Sequence, residues 1–158
     1  MKNVLVLGSG AREVAIVRSI SQSLIENSIF CISKDINPQI SRLCKDYFVS
    51  DVEAVSSIVA YSKEKEIDLA IIGPENPLAS GVVNELELVG VRCVGPKKEV
   101  AMIEASKSFA RTIIDLCCPE KNPKRREFSS AEGVEEFIKQ LGGEYVIKFD
   151  GLMGGKGV

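Results

Sequence analysis

Short apolar runs alternate with amphipathic stretches along most of this chain. Val4-Leu5-Val6-Leu7, Ile29-Phe30-Cys31-Ile32 and Leu69-Ala70-Ile71-Ile72 are continuous apolar segments, as strands buried on both faces should be, and residues 91–94 form a further strand stopped by Gly95-Pro96. Tyr47-Phe48-Val49 is a briefer run of the same kind. Between them, Val17, Ile20 and Leu24 keep one helical face apolar. Val52, Val55, Ile58 and Val59 do the same in a second helix, and Leu78, Val82 and Leu86 in a third closed by Gly90. Residues 39–44 can supply one or two helical turns after Asn37-Pro38, and Asp51 stands where it would cap the second helix. Strands alternating with helices on short connections predict a parallel sheet covered on both faces. The pattern is that of a complete, doubly wound α/β domain over residues 1–96.

The pattern then changes. A longer helical stretch over residues 97–116 runs through Met102, Phe109, Ile113 and Leu116, and residues 119–126, polar and basic with two prolines, read as a linker. Residues 97–126 are thus a connecting helix and linker. Glu127-Phe128 begins a strand, and Ser130 caps a helix over residues 131–141 that Gly142-Gly143 stops. Residues 145–148 form an apolar run ending in Lys148, expected as a buried strand. The segment 127–158 is too short to bury a core of its own.

That last strand opens into Asp150-Gly151-Leu152-Met153-Gly154-Gly155-Lys156-Gly157-Val158. Glycines let backbone amides approach a ligand, and Lys148 and Lys156 add positive charge, which together suit a phosphate cradle. A flexible hairpin turn is the competing reading. The loop is not a Walker A motif: Asp150 stands at the first glycine position and Gly157 at the Ser/Thr position.

Composition narrows the chemistry. The chain has 158 residues, 45% apolar and 27% charged, with a net charge of -2, so nothing points to nucleic acid or an anionic membrane as partner. No run approaches the roughly 18 apolar residues of a membrane span, and Met1-Lys2-Asn3 leads straight into a strand without a signal peptide. Five cysteines without a C-x-x-C pair read as reduced thiols, hence a cytoplasmic protein; Cys117-Cys118 reads as packing at a helix end. There is no histidine, which excludes Ser-His-Asp and Cys-His catalysis and the common zinc sites within these residues.

Gly8-Ser9-Gly10-Ala11-Arg12-Glu13 follows the first strand and begins a helix. The dinucleotide fingerprint requires a small residue where Glu13 stands, which argues against NAD or FAD. Free amides at a helix N-terminus still favour a single phosphate group, and Arg12 could add a charged contact or simply face solvent. Glu75, in the loop Gly73-Pro74-Glu75-Asn76-Pro77 at the end of the fourth strand, could hold a substrate amine or hydroxyl, or face water. Lys107 alone would read as a solvated helix residue.

Taken together, Met1 to Glu13, Gly73 to Leu78, Gly95-Pro96, Ser106-Lys107-Ser108-Phe109-Ala110 and Lys148 to Val158 resemble the N-terminal part of the phosphoribosylamine–glycine ligase family, also called glycinamide ribonucleotide synthetases. The resemblance implies the ATP-grasp superfamily: a Rossmann-like pre-ATP-grasp domain, then the beginning of an ATP-grasp domain over residues 127–158. It implies an ATP-dependent ligase of de novo purine biosynthesis, in which glycine is activated as a glycyl phosphate and attacked by the amine of 5-phosphoribosylamine. By position, Gly8, Ser9, Gly10, Ala11, Arg12 and Glu13 would hold the phosphoribosyl group, with Glu75 nearby. Lys107, Lys148, Gly151, Gly154, Gly155, Lys156 and Gly157 would bind ATP. Mg²⁺ or Mn²⁺ would be held by carboxylates beyond Val158, with none of its ligands in these residues, so the 158 residues alone should not catalyse the reaction. The family commonly has histidine where this chain has Val14, and any polar contact made there is lost. Another ATP-grasp carboxylate–amine ligase, or a non-catalytic nucleotide-binding module ending at Val158, would fit the same residues; protein partners are not indicated.

Overall fold

The computed structural model describes residues 1–154 and 156–158, and these divide into two compact units, Met1–Ala101 and Met102–Val158. The first contains five strands: β1 (Lys2–Leu7), β2 (Asn27–Ser33), β3 (Asp46–Val49), β4 (Leu69–Ile72) and β5 (Arg92–Val94). All pair in parallel, in the order β3-β2-β1-β4-β5. Helices α1 (Ala11–Ser21), α2 (Pro38–Ser41), α3 (Val55–Glu64), α4 (Glu75–Ser80) and α5 (Val82–Leu88) connect them. This is the doubly wound sheet that the continuous apolar runs predict.

Alternation along the strands divides the core. Leu5, Leu7, Phe30 and Ile32 point to one face and pack with Ile58, Leu78, Val82, Val83 and Leu86 from α3, α4 and α5. Val6, Ile29 and Cys31 point to the other and meet Val14 and Val17 of α1 and Ile40 of α2. β1 lies at the centre, and Leu5, Val6 and Leu7 are fully buried. At its start, the Asn3 side-chain amide donates to Lys65 O (2.8 Å) and Glu66 O (3.2 Å). It thereby satisfies carbonyls at the end of α3 that have no partner within the helix.

Several element limits differ from the sequence reading. α1 stops at Ser21, leaving Leu24 fully exposed, because residues 22–26 turn the chain back toward β2. Asp51 accepts the Glu53 N–H in a local turn, and α3 begins later, at Val55. The helix expected through Leu78, Val82 and Leu86 is two, α4 and α5, because Gly81 adopts φ 90° between them.

The stretch expected as one helix over residues 97–116 is α6 (Lys98–Ala105), spanning the division between the units, and α7 (Lys107–Cys117). Ser106 separates them: its hydroxyl accepts the Phe109 N–H and caps α7. The basic stretch that follows is not loose. It contains a 3₁₀ turn at Pro119–Lys121, and Asn122 and Arg125 bond Arg111 and Asp115 of α7. Ser130 accepts the Glu132 N–H, whereas α8 (Val134–Leu141) starts after Gly133, at φ 77°. No strand begins at Glu127-Phe128.

The largest correction concerns residues 145–148. They form no strand, and Tyr145, Val146 and Ile147 are exposed. A strand is held by a hydrogen-bonded neighbour, and among the described residues none pairs with this run. α7 and α8 are likewise amphipathic helices without a single buried residue.

Candidate functional site

In an open α/β sheet the crevice for ligands lies at the carboxyl ends of the strands, where the strand order reverses. Here that point lies between β1 and β4, which pair through Leu7 and Ile72. The two loops predicted as functional leave the sheet at this place: residues 8–10 after β1 and residues 73–74 after β4. Gly73 N–H donates to Leu7 O at 3.2 Å, and Gly8 N–H to Ile32 O at 2.8 Å, so both loops are tied to neighbouring strands. Asn37 adds a brace, its amide donating to Ser9 O at 2.8 Å.

Glu13 holds this crevice together, a role not visible from residue spacing. Its side chain is 6% exposed and turns back from the first turn of α1. Oε2 accepts the Gly10 N–H at 2.6 Å. Three glycines surround the carboxyl group. A Cβ on Gly8 would lie 3.1 Å from Glu13 Cδ, one on Gly10 2.8 Å from Oε2, and one on Gly73 2.1 Å from Oε1. The glycines thus form a socket contributed by both loops. The one hint in the sequence was a charged residue where a dinucleotide loop has a small one.

Arg12 and Glu75 stand on opposite sides of the crevice. Arg12 Nη2 is 3.5 Å from Glu75 Oε1, and Arg12 Nε is 3.5 Å from Glu13 Oε1. At the N-terminus of α1 the first N–H groups have no partner within the helix. The Gly10 N–H is taken by the Glu13 side chain, so the backbone amides of Ala11, Arg12 and Glu13 are the donors left at this helix end. Val14 is buried against β1 and β2 on the α1 side, where it packs as an ordinary core residue. Behind the loop, Cys31 Sγ donates to Gly8 O at 3.5 Å, and contact with Cys44 together with burial pushes the Cys31 thiol well above its ordinary range.

In the second unit the glycine loop is anchored by Asp150, which the sequence reading had noted only for its departure from Walker A. Asp150 Oδ1 accepts the Lys107 N–H (2.6 Å) and Ser108 N–H (3.2 Å), and Oδ2 accepts the Ser106 hydroxyl (3.1 Å). Partial desolvation opposes its ionised form, but hydrogen bonds from Ser108, Ser106 and Lys107 prevail and hold the carboxyl below its usual range. A carboxylate at a helix N-terminus also meets the favourable end of the helix dipole.

Lys107 Nζ donates to Gly151 O at 2.8 Å. Beyond it, the loop folds back, with Phe149 N–H donating to Gly157 O (2.9 Å) and Lys156 N–H to Met153 O (3.0 Å). Gly151 and Gly154 take φ of 127° and 56°, in the region that L side chains rarely adopt. Lys148 and Lys156 are exposed. Gly155 lies outside the described residues. Lys107 and Gly151 are therefore joined by a direct bond and Gly157 is tied to Phe149, whereas Lys148 and Lys156 are linked to them through the chain.

Among the described residues no three His, Cys, Asp or Glu side chains cluster as a metal site, and no helix is long and apolar enough to cross a membrane. The cysteines are all free thiols, Cys117 exposed and Cys118 partly so rather than packed in a core.

Known proteins match this architecture. The chain is 42% identical over 156 residues to a phosphoribosylamine–glycine ligase of Methanococcoides burtonii, a stretch that covers 99% of this chain and 36% of that protein. This chain thus spans about a third of the length of such relatives. Among solved structures, the ADP complex of an N5-carboxyaminoimidazole ribonucleotide synthetase superposes with a TM-score of 0.73 at 15% identity, covering 99% of this chain and 40% of that one. A phosphoribosylglycinamide synthetase from Anaerococcus prevotii gives 0.64 at 13% identity, covering 88% and 34%. Both likenesses show that this chain shares their fold. Residues 2–104 match the family described as phosphoribosylglycinamide synthetase, N domain, and the chain belongs to that family.

Proposed function

We propose that this chain is the N-terminal portion of an ATP-dependent ligase that joins glycine to 5-phosphoribosylamine in de novo purine biosynthesis. Membership of the family, with a relative of that activity matched across both units, carries the reading. The crevice between β1 and β4 supports it with suitable chemistry. The phosphate of the amine substrate rests on the Ala11 and Arg12 amides at the α1 N-terminus, and Arg12 supplies charge. Glu75 accepts hydrogen bonds from the sugar hydroxyls or the amine. Gly8, Ser9 and Gly10 shape the loop, and Glu13 supports it from below without touching the phosphate.

The second unit fits a polyphosphate by its donor chemistry. Lys107, Lys148, Lys156 and amides of the loop through Gly151, Gly154, Gly155 and Gly157 would hold ATP, which supplies the phosphoryl group that activates the glycine carboxylate. Lys107 uses one of its three N–H donors on Gly151 O and keeps two for phosphate oxygens. Mg²⁺ or Mn²⁺ would be bound by carboxylates outside residues 1–158. Five free thiols agree with a reducing, cytoplasmic setting.

The natural full-length protein, given ATP, glycine and 5-phosphoribosylamine, is expected to release ADP, phosphate and glycinamide ribonucleotide in equal amounts. No amide should form when any one of the three is left out. Faster turnover with a different carboxylate or amine would assign the protein to another ligation, and nucleotide binding without turnover would make it a binding module.

A further inference from the structure

The two oxygens of Glu13 are unequally satisfied. Oε2 accepts the Gly10 N–H at 2.6 Å, whereas Oε1 is buried without a hydrogen-bond partner. Arg12 is the nearby cation, with Nε 3.5 Å from Glu13 Oε1 and Nη2 3.5 Å from Glu75 Oε1. Both separations exceed the roughly 2.7–2.9 Å of a well-formed charge-assisted contact. One guanidinium is thus shared between two carboxylates and fully satisfies neither.

The two carboxylates differ in what they would gain. The side chains of Arg12 and Glu75 are 62% and 41% exposed, so water competes strongly for their pairing. That of Glu13 is 6% exposed, and water cannot replace a missing partner there. Moving Nε by roughly 0.7 Å would complete the Glu13 contact.

We propose that Glu13 is a positioning residue for Arg12: it takes the guanidinium from Glu75 as the amine substrate enters, leaving the Glu75 carboxylate free for the substrate's N–H or O–H donors. The inference rests on the ligase reading above. A ligand shifts such an equilibrium because it binds one arrangement better. Here the substrate's donors replace Arg12 on Glu75, and the unpaired Glu13 oxygen gains a partner in the same rearrangement. No bond is made or broken.

A double-mutant cycle in the full-length enzyme tests this, reading KM for the amine, KM for ATP, kcat and the melting temperature. Glu13→Gln keeps the shape. Its amide oxygen can accept the Gly10 N–H, but its NH₂ group then faces Arg12 and offers it no acceptor. The variant is expected to raise KM for the amine about tenfold while kcat and KM for ATP stay within about twofold. Added to Arg12→Ala, the same change should move KM for the amine by less than about twofold, because no guanidinium remains to be repositioned.

An equal rise in KM with and without Arg12, or a joint fall in kcat and melting temperature, would show that Glu13 is only a spacer and overturn the inference. An unchanged KM in Glu13→Gln would do the same. If the wild-type enzyme forms no amide, the ligase reading itself fails and this inference falls with it. Amide formation by the wild type with a flat cycle defeats the Glu13 role alone.

Discussion

Gly73→Ala would test the glycine socket, because it adds one carbon where Glu13 already sits. The new Cβ would lie 2.1 Å from Glu13 Oε1, 2.7 Å from Cδ and 2.8 Å from Cγ, so the two side chains cannot coexist as placed. Glu13 is the flexible partner and must leave the socket, giving up its bond to the Gly10 N–H. Losing a charge-assisted bond costs about 1.5–3 kcal/mol, and overpacking typically costs about 1–3 kcal/mol. Rehydration of the displaced carboxylate returns part of this, leaving about 2 kcal/mol. For a unit of about 100 residues that lowers the melting temperature by roughly 8–16 °C. Calorimetry of the whole chain, following the first unit's transition, would measure it. The diagnostic comparison is with Glu13→Ala, which empties the socket. In that background Gly73→Ala should cost less than about 0.5 kcal/mol, a strong departure from additivity. Equal costs with and without Glu13 would refute the steric argument. Gly90→Ala is a useful contrast: nothing lies within 4 Å of its Cβ, but φ of 86° strains any side chain, so a cost of about 1 kcal/mol should persist in both backgrounds.

Other perturbations probe the remaining features. Asn3→Ala should cost about 0.5–1.5 kcal/mol in urea unfolding, since the carbonyls of Lys65 and Glu66 exchange its donor for water. The Asp46 carboxyl is held below its usual value by the Lys65 hydrogen bond, with desolvation opposing and Tyr61 assisting. Its stabilisation is therefore full above the unfolded value of about 3.9 and is lost as pH falls through the lower folded value. Asp46→Asn should accordingly flatten the stability profile below about pH 5, and an unchanged slope there would exclude the assignment. Asp150→Ala removes the acceptor of the Ser106, Lys107 and Ser108 donors. Limited proteolysis within residues 151–157 should then accelerate several-fold, whereas an unaltered cleavage rate would mean the loop is held by other contacts. In the full-length enzyme Lys148→Ala should severely impair ATP use, and near-normal ADP formation would defeat the placement of that lysine beside the phosphates.

Much of the first unit was legible because burial leaves a direct mark on composition. A strand with both faces covered must be apolar at every position, so β1, β2 and β4 stand out as short runs. The limits of helices were harder to read. Local hydrogen bonds at Asp51 and Ser106 and the left-handed backbone at Gly81 set them, and none of these alters the apolar period. The positions of residues 8–13 and Glu75 at the ends of β1 and β4 were legible, but their contacts with one another were not. Whether Arg12 faces an anion, Glu13 or Glu75 depends on two loops about sixty residues apart in the chain meeting at adjacent strands.

By itself, then, the sequence determined the parallel sheet, the place of the crevice, the family and the identities of the charged groups available. Those follow from local patterning and residue chemistry, which the chain carries wherever it goes. Only the tertiary structure decided that Glu13 is buried in a three-glycine socket, that Asp150 caps α7, and that residues 145–148 stay exposed. The first two need chain segments distant in sequence to close around one carboxylate. The last turns on a partner strand, and an apolar run cannot supply its own neighbour.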